Sequence, residues 1–279
     1  MTVKIVADTT SDLPSEVAKE LGITVVSLYV HFGSNSYRNG VDLTTDQFYQ
    51  KMIGSQTIAT TSVPSPGTFA QAYDKLAEET DEILAITISH KLSATYESAT
   101  QAVDKMKRKC RVEVISSQWA LMALGLIVIA AAKAANSGAS LDEVAALTRK
   151  NITRMDMRIA FDTLEYLRRG GRIGKAQAFF GSLLKVNPIL TIKDGETYPA
   201  ARERSRAKAV DYLCNFATSF SHIEEMAVEH ATTPNEAERL IERIGAKFPK
   251  ERIYRSKVSP VIGAHVGPRV LGVSVLGDR

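Results

Sequence analysis

Short apolar runs punctuate the first half of the chain, and several lead through a polar turn into a stretch with helical spacing. Residues 3–7, 23–30, 82–88 and 112–115 read as strands, rich in Val and Ile. The turn Asp8-Thr9-Thr10-Ser11-Asp12 follows the first strand, and Pro14 suits the first turn of a helix reaching Leu21. Residues 95–107 and the long stretch beyond residue 115 read as helices. Strands alternating with helices predict parallel pairing in a sheet covered on both faces.

Near residue 155 the pattern changes. Residues 158–161 read as a strand and 164–169 as a short helix ended by Gly170-Gly171. Residues 189–193 and 196–201 flank Asp194-Gly195, a strong hairpin signal. Residues 202–220 read as an amphipathic helix with Val210, Leu213, Phe216 and Ala217 turned inward. Segments 226–230, 235–247, 252–258 and 270–276 complete a mixed unit. The expected fold is therefore α/β: an N-terminal domain, residues 1–155, with a mainly parallel sheet flanked by helices, and a mixed α+β domain, residues 156–279. The 279 residues suit two such units, and no internal repeat is evident.

Composition narrows the picture. Residues 114–132 form a run of 19 without a charge, close to the length of a membrane span. It opens as a strand followed by Ser116-Ser117-Gln118, so we read the remainder as a buried helix and expect no integral span. Cys110 and Cys214 are the only cysteines, too few for a disulfide framework. With the chain entering a strand directly after Met1-Thr2, a reducing, cytoplasmic setting is expected. Residues 1–150 carry 14 basic and 16 acidic side chains and residues 151–279 carry 21 and 15, so the second half favours anionic partners. Basic residues are not interleaved with aromatics, and no nucleic-acid role is expected.

In a parallel α/β sheet, ligands gather where the strands end and helices begin. The polar residues there are hydroxyls: Asp8-Thr9-Thr10-Ser11, Ser89-His90-Lys91-Leu92-Ser93 and Ser116-Ser117, with the loop Thr60–Gly67 added if it folds over the same edge. Hydroxyls and free helix-start N–H groups hold anions, and they equally cap helices and turns. No metal-ligand spacing is present, and no metal or cofactor is expected. Gly170-Gly171-Arg172-Ile173-Gly174-Lys175 lacks the gap and the hydroxyl of a phosphate loop, and no dinucleotide fingerprint follows the first strand. His265 lies among small residues in Gly263-Ala264-His265-Val266-Gly267-Pro268, read as a loop between two strands.

Five stretches together resemble the DegV family of bacterial fatty-acid-binding proteins. They are Ile5-Val6-Ala7-Asp8-Thr9-Thr10-Ser11-Asp12-Leu13, then Thr61-Ser62-Val63-Pro64-Ser65-Pro66-Gly67-Thr68-Phe69, Leu92-Ser93-Ala94-Thr95-Tyr96-Glu97-Ser98-Ala99, Leu164-Glu165-Tyr166-Leu167-Arg168-Arg169-Gly170-Gly171-Arg172-Ile173 and His265-Val266-Gly267-Pro268. The resemblance implies one long-chain fatty acid in a buried apolar tunnel, its carboxylate held by Thr61, Ser93 and His265 with Ser62 and Ala94 in support. It also implies a partner fatty acid kinase that converts the bound acid to acyl phosphate for phospholipid synthesis, with Arg172 near the reacting group or the docking face. Ala94 stands where the family usually has Gly, and Arg269 where Gly is common. The Ala- and Leu-rich helix, residues 119–132, is expected to line the tunnel or to pack as core. The competing reading is an acyl-transfer or hydrolytic enzyme with Ser93 as nucleophile and His265 as base.

Overall fold

The structure is a computed structural model describing residues 2–54, 58–179 and 186–279. In chain order its first half contains β1 (Lys4–Asp8), α1 (Ser15–Glu20), β2 (Thr24–Val26), β3 (Tyr29–Phe32), β4 (Asn35–Arg38), α2 (Thr45–Gly54), β5 (Ala59–Ser62), α3 (Pro66–Leu76), β6 (Glu82–Thr87), α4 (Thr95–Val103), β7 (Arg111–Ser116), α5 (Leu121–Asn136) and α6 (Leu141–Arg154). Strands β2-β1-β6-β7 form a four-stranded parallel sheet. β4-β3-β5 form a separate antiparallel sheet of three strands.

The second half contains β8 (Met155–Ala160), α7 (Glu165–Arg169), β9 (Asn187–Lys193), β10 (Glu196–Glu203), α8 (Arg206–Ala217), β11 (His222–His230), α9 (Pro234–Ile244), β12 (Ile253–Lys257), α10 (Pro260–Val266) and β13 (Leu271–Asp278). Its six strands form one mixed sheet in the order β10-β9-β8-β13-β11-β12. The expected class, a parallel α/β sheet joined to a mixed α+β unit, is the architecture observed.

Several element boundaries differ from the sequence reading, each for a local reason. The run 23–30 splits between two sheets, because the Leu28 N–H donates to the Thr9 hydroxyl (3.1 Å) instead of to a ladder. Arg202 and Glu203 end β10, and α8 starts only after Ser205, whose hydroxyl accepts from the Lys208 N–H. His265 is in the last turn of a helix, not in a loop: Pro260 opens α10 and Gly267 ends it with φ +85°. Helix α6 carries a capping box, Ser140 with Glu143, that the apolar pattern did not single out.

The uncharged run becomes α5, 16 residues long and buried on nearly all sides. It packs against β1 from one sheet and β8, β11 and β13 from the other. A Cβ added to Gly125 would lie 2.5 Å from the Ser11 carbonyl, so glycine there lets the helix meet the turn after β1. At 1.5 Å per residue a helix this short falls below a bilayer's roughly 30 Å core. Among the described residues no helix is long and apolar enough to cross a membrane.

One polar group sits inside this packing. Asp12, at the end of the turn after β1, and Glu229, on β11, are both buried. Glu229 accepts the Met122 N–H (3.1 Å), while its second oxygen finds no partner among the described residues. Burial raises the pKa of each; the Asp12 charge raises Glu229 further, while hydrogen bonding from Ser259 offsets part of the rise at Asp12. Asp8 adds to the field at Asp12, and the buried Tyr49 phenol faces both carboxyls. The consistent state is a pair that holds a proton at neutral pH.

Because these carboxyls bind protons more tightly folded than unfolded, stability falls as pH rises above the ordinary carboxylate range. A tenfold preference for the protonated form is about 1.4 kcal/mol. Asp12→Asn suits the left-handed backbone at that position, φ +50°. Its melting temperature is expected to exceed that of the unaltered chain by several degrees at pH 8 and by less at pH 5. Thermal unfolding at both pH values checks this; parallel pH profiles would contradict a protonated Asp12.

Candidate functional site

Between the six-stranded sheet and the segments that follow the parallel strands lies a cavity with about 820 Å³ of space unfilled by protein atoms, part of it open to solvent. Its walls are apolar. Leu28, Ile88 and Leu121 come from the first half, Met157, Ile159, Leu190 and Ile192 from β8 and β9, and Val261 and Ile262 from α10. Strand alternation supplies the sheet side on β8, where Met157 and Ile159 face inward, while Leu190, Thr191 and Ile192 all line the cavity on β9. Only the first residues of the Ala-rich stretch, Ala120 and Leu121, reach the cavity; the rest of α5 is core packing.

Polar residues collect at one end. Thr61 and Ser62 from β5, Ser93 from the turn before α4, Arg172 from the segment after α7 and His265 from α10 all line the cavity. Of the expected residues, Thr61, Ser62, Ser93, Arg172 and His265 thus line one cavity, and Ala94 does not. Ala94 is exposed at the N-terminal boundary of α4, with φ −73°, a conformation open to any residue, so the absence of Gly there causes no strain. Arg269 pairs with Asp162 at 2.6 Å and does not line the cavity.

The hydroxyls of the first turn are largely committed elsewhere. Asp8 accepts from the Thr10 N–H (2.8 Å), from the Thr10 hydroxyl and from the Ile88 N–H (2.9 Å). The Ser11 hydroxyl donates to the Asp8 carbonyl (2.8 Å). These bonds fasten the end of β1 to the end of β6. Thr10 still faces the cavity, as a wall. The next loop is built likewise: the Leu92 and Ser93 N–H groups both donate to the Ser89 carbonyl (3.0 and 3.1 Å), which turns Ser93 inward. Ser89 in turn donates its hydroxyl to the Gly195 carbonyl (2.7 Å), tying the β9–β10 hairpin over the cavity.

The hydrogen bonds at the polar end are specific. The Thr61 hydroxyl and His265 Nε2 are 2.9 Å apart. The Ser93 hydroxyl lies 2.8 Å from that of the buried Thr95. The Ser62 hydroxyl is 2.8 Å from His31 Nε2. Arg172 donates to the Leu92 carbonyl (3.1 Å) and the Gly170 carbonyl (2.7 Å), spanning the two loops that frame the opening. Burial, assisted by the nearby Arg172 charge, lowers the His265 pKa to about 4. The imidazole is neutral at physiological pH and offers one N–H. Its Nδ1 has no partner among the described residues and faces Gly170, where any Cβ would overlap the ring.

Ser93 and His265 therefore bond to Thr95 and Thr61, not to each other. A neutral imidazole of such low pKa is a weak base for activating a hydroxyl. What the arrangement does offer is a cluster of neutral donors beside an apolar space. Among the described residues no group of three or more His, Cys, Asp and Glu is placed to hold a metal.

Sequence reasoning missed two features of the site. The β9–β10 hairpin supplies Leu190, Ile192 and Thr197 to the wall, and its Asp-Gly turn was the available signal. A second depression on the outer side of His265 shares Thr61, Arg172 and His265 with the cavity and adds Tyr166, Arg169 and Gly170. The Arg-rich stretch was the signal for that one.

The chain matches known proteins along its length. A family model for the uncharacterised DegV family covers residues 2–278. A DegV domain-containing protein of Clostridium perfringens is 34% identical over 98% of both chains. One of Streptomyces coelicolor is 36% identical, again over 98% of each. Among solved structures, a fatty-acid-binding DegV family protein from Thermus thermophilus superposes with a TM-score of 0.91 at 33% identity, covering 99% of this chain and 100% of its own. DegV of Bacillus subtilis, a fatty acid binding protein, gives 0.89 at 30% identity, covering 99% of each chain. With the whole length matched by both sequence and fold, the chain belongs to the DegV family.

Proposed function

We propose that this protein binds one long-chain fatty acid, with the tail in the apolar cavity and the carboxylate met by Thr61, Ser93 and His265. Ser62 and the backbone around Ala94 support that end. The ligand lies between an N-terminal unit, residues 1–155, and a C-terminal unit, residues 156–279. The observation that carries this reading is an apolar cavity whose wall also carries a cluster of neutral donors, in a chain similar to fatty-acid-binding proteins. A carboxylate leaving water needs several hydrogen bonds. Two hydroxyls and one imidazole N–H answer that need without a metal. Each buried methylene contributes about 0.8 kcal/mol, so a palmitoyl tail supplies on the order of 10 kcal/mol in gross terms.

The same proposal gives the protein a partner, a fatty acid kinase that phosphorylates the presented carboxylate. Its support is the outer depression, which reaches Thr61 and His265 from the solvent side and carries Arg169 and Arg172. Cations there suit an approaching phosphate.

Mass spectrometry of lipid extracted from the purified protein tests the first part. Fatty acid is expected; a lipid-free protein that takes up neither palmitate nor oleate would sink the reading. Thr61→Val and His265→Ala are each expected to weaken oleate binding about tenfold, the loss of one hydrogen bond to a charged group. Since His265 is already neutral, oleate affinity is expected to stay flat between pH 6 and 8. An affinity that climbs as pH falls through that range would mean an imidazolium at the site.

Gly170→Ala makes a narrower test. Gly170 has ordinary helical backbone, so alanine is tolerated by the chain but meets the His265 ring. Binding is expected to fall about tenfold, by displacing one donor, with little change in melting temperature. Equal binding would remove His265 from the carboxylate site. For the partner, Arg172→Ala that keeps its lipid but is phosphorylated several-fold more slowly by a fatty acid kinase with ATP supports the assignment; an unchanged rate contradicts it.

A further inference from the structure

A third depression opens on the far side of the β9–β10 hairpin, with about 850 Å³ of unfilled space including open solvent. Its walls continue those of the apolar cavity. On β8, Met157 lines the cavity and Met155, two residues back on the same face, lines the depression. On β9, Thr191 and Ile192 line both, and Ile192 is the apolar one of the two. On the segment entering α5, Ala120 lines the cavity and Trp119 the depression. Each two-residue step along a strand advances about 6.6 Å, so the second space begins one step beyond the first.

We propose that the depression is the far outlet of the lipid site and that Ile192 is the partition that sets the longest acyl chain the protein accepts. This rests on the reading of the cavity as a fatty-acid site. The polar cluster of Thr61, Ser93, Arg172 and His265 marks the head end, and the wall residues shared with the depression mark the tail end. Trp119 is a fixed wall, because its indole N–H donates to the Ile152 carbonyl (3.0 Å). Ile192 is buried and reaches the boundary with hydrocarbon alone, so shortening it joins the two spaces without orphaning a polar group. Beyond it the rim turns polar, with Arg158, Lys193 and Asp194. A methyl terminus passing Ile192 gains apolar contact from Met155 and Trp119 and then meets water.

Competition between palmitate and behenate for the purified protein tests this, read by mass spectrometry of the bound acid. Ile192→Ala is expected to shift the ratio toward behenate by about tenfold, the effect of burying two further methylenes. Ile192→Trp is expected to shift it the other way and to enrich myristate. Met155→Phe, which narrows the outlet from the neighbouring strand, is expected to act in the same direction as Ile192→Trp and serves if the alanine variant does not fold. An unaltered protein that binds fatty acid, with a ratio unmoved in all folded variants, overturns the partition. A protein that takes up no acid at all overturns the lipid reading beneath it.

Discussion

A polar group that leaves water must find a partner or lose its charge. The interior of this protein is arranged around different outcomes of that rule. Asp8 is buried and holds three donors, which fasten the first loop to the sheet. Asp12 and Glu229 are buried with too few donors to offset the loss of water, and burial favours their protonated forms. His265 is deep enough that its ring stays neutral, which makes it a donor for an incoming anion and not a charge needing its own counter-ion. A cationic ring there would need compensation in the empty state. A neutral one waits at lower cost and is still able to donate.

The apolar part of the site follows from strand geometry. β8 presents one face to the cavity by alternation, and β9 adds Leu190 and Ile192 beside it, so a continuous hydrocarbon surface arises. The facing wall is a set of segment ends, Leu28, Ile88 and Ala120, held by backbone hydrogen bonds such as Ser89 N–H to the Trp119 carbonyl. A regular surface opposite an irregular one leaves a space that neither could close by itself.

Much of this was legible in the residues. Alternating strands and helices gave the parallel sheet, and Asp194-Gly195 marked the hairpin that covers the cavity. The motif stretches named the residues that the fold assembles at the polar end. Other parts were hidden for physical reasons. The three-stranded sheet includes Asn35–Arg38, a polar and largely exposed strand with little apolar signal. Helix α10 looked like a loop because Gly263 and Gly267 sit beside two prolines. Yet Gly263 is there for close packing, since a Cβ would lie 2.6 Å from the Tyr49 hydroxyl, and Gly267 because of its positive φ. Glu229 lies in an ordinary strand, and nothing in its neighbours tells that it meets Asp12 from the opposite end of the chain.

Helix α5 belongs by sequence to the first half, yet β8, β11 and β13 cover much of its surface. A ribosome that has emitted only the first 155 residues has therefore made the most hydrophobic helix of the chain before its shelter exists. The nascent fragment is left with an oily flank that only later synthesis hides.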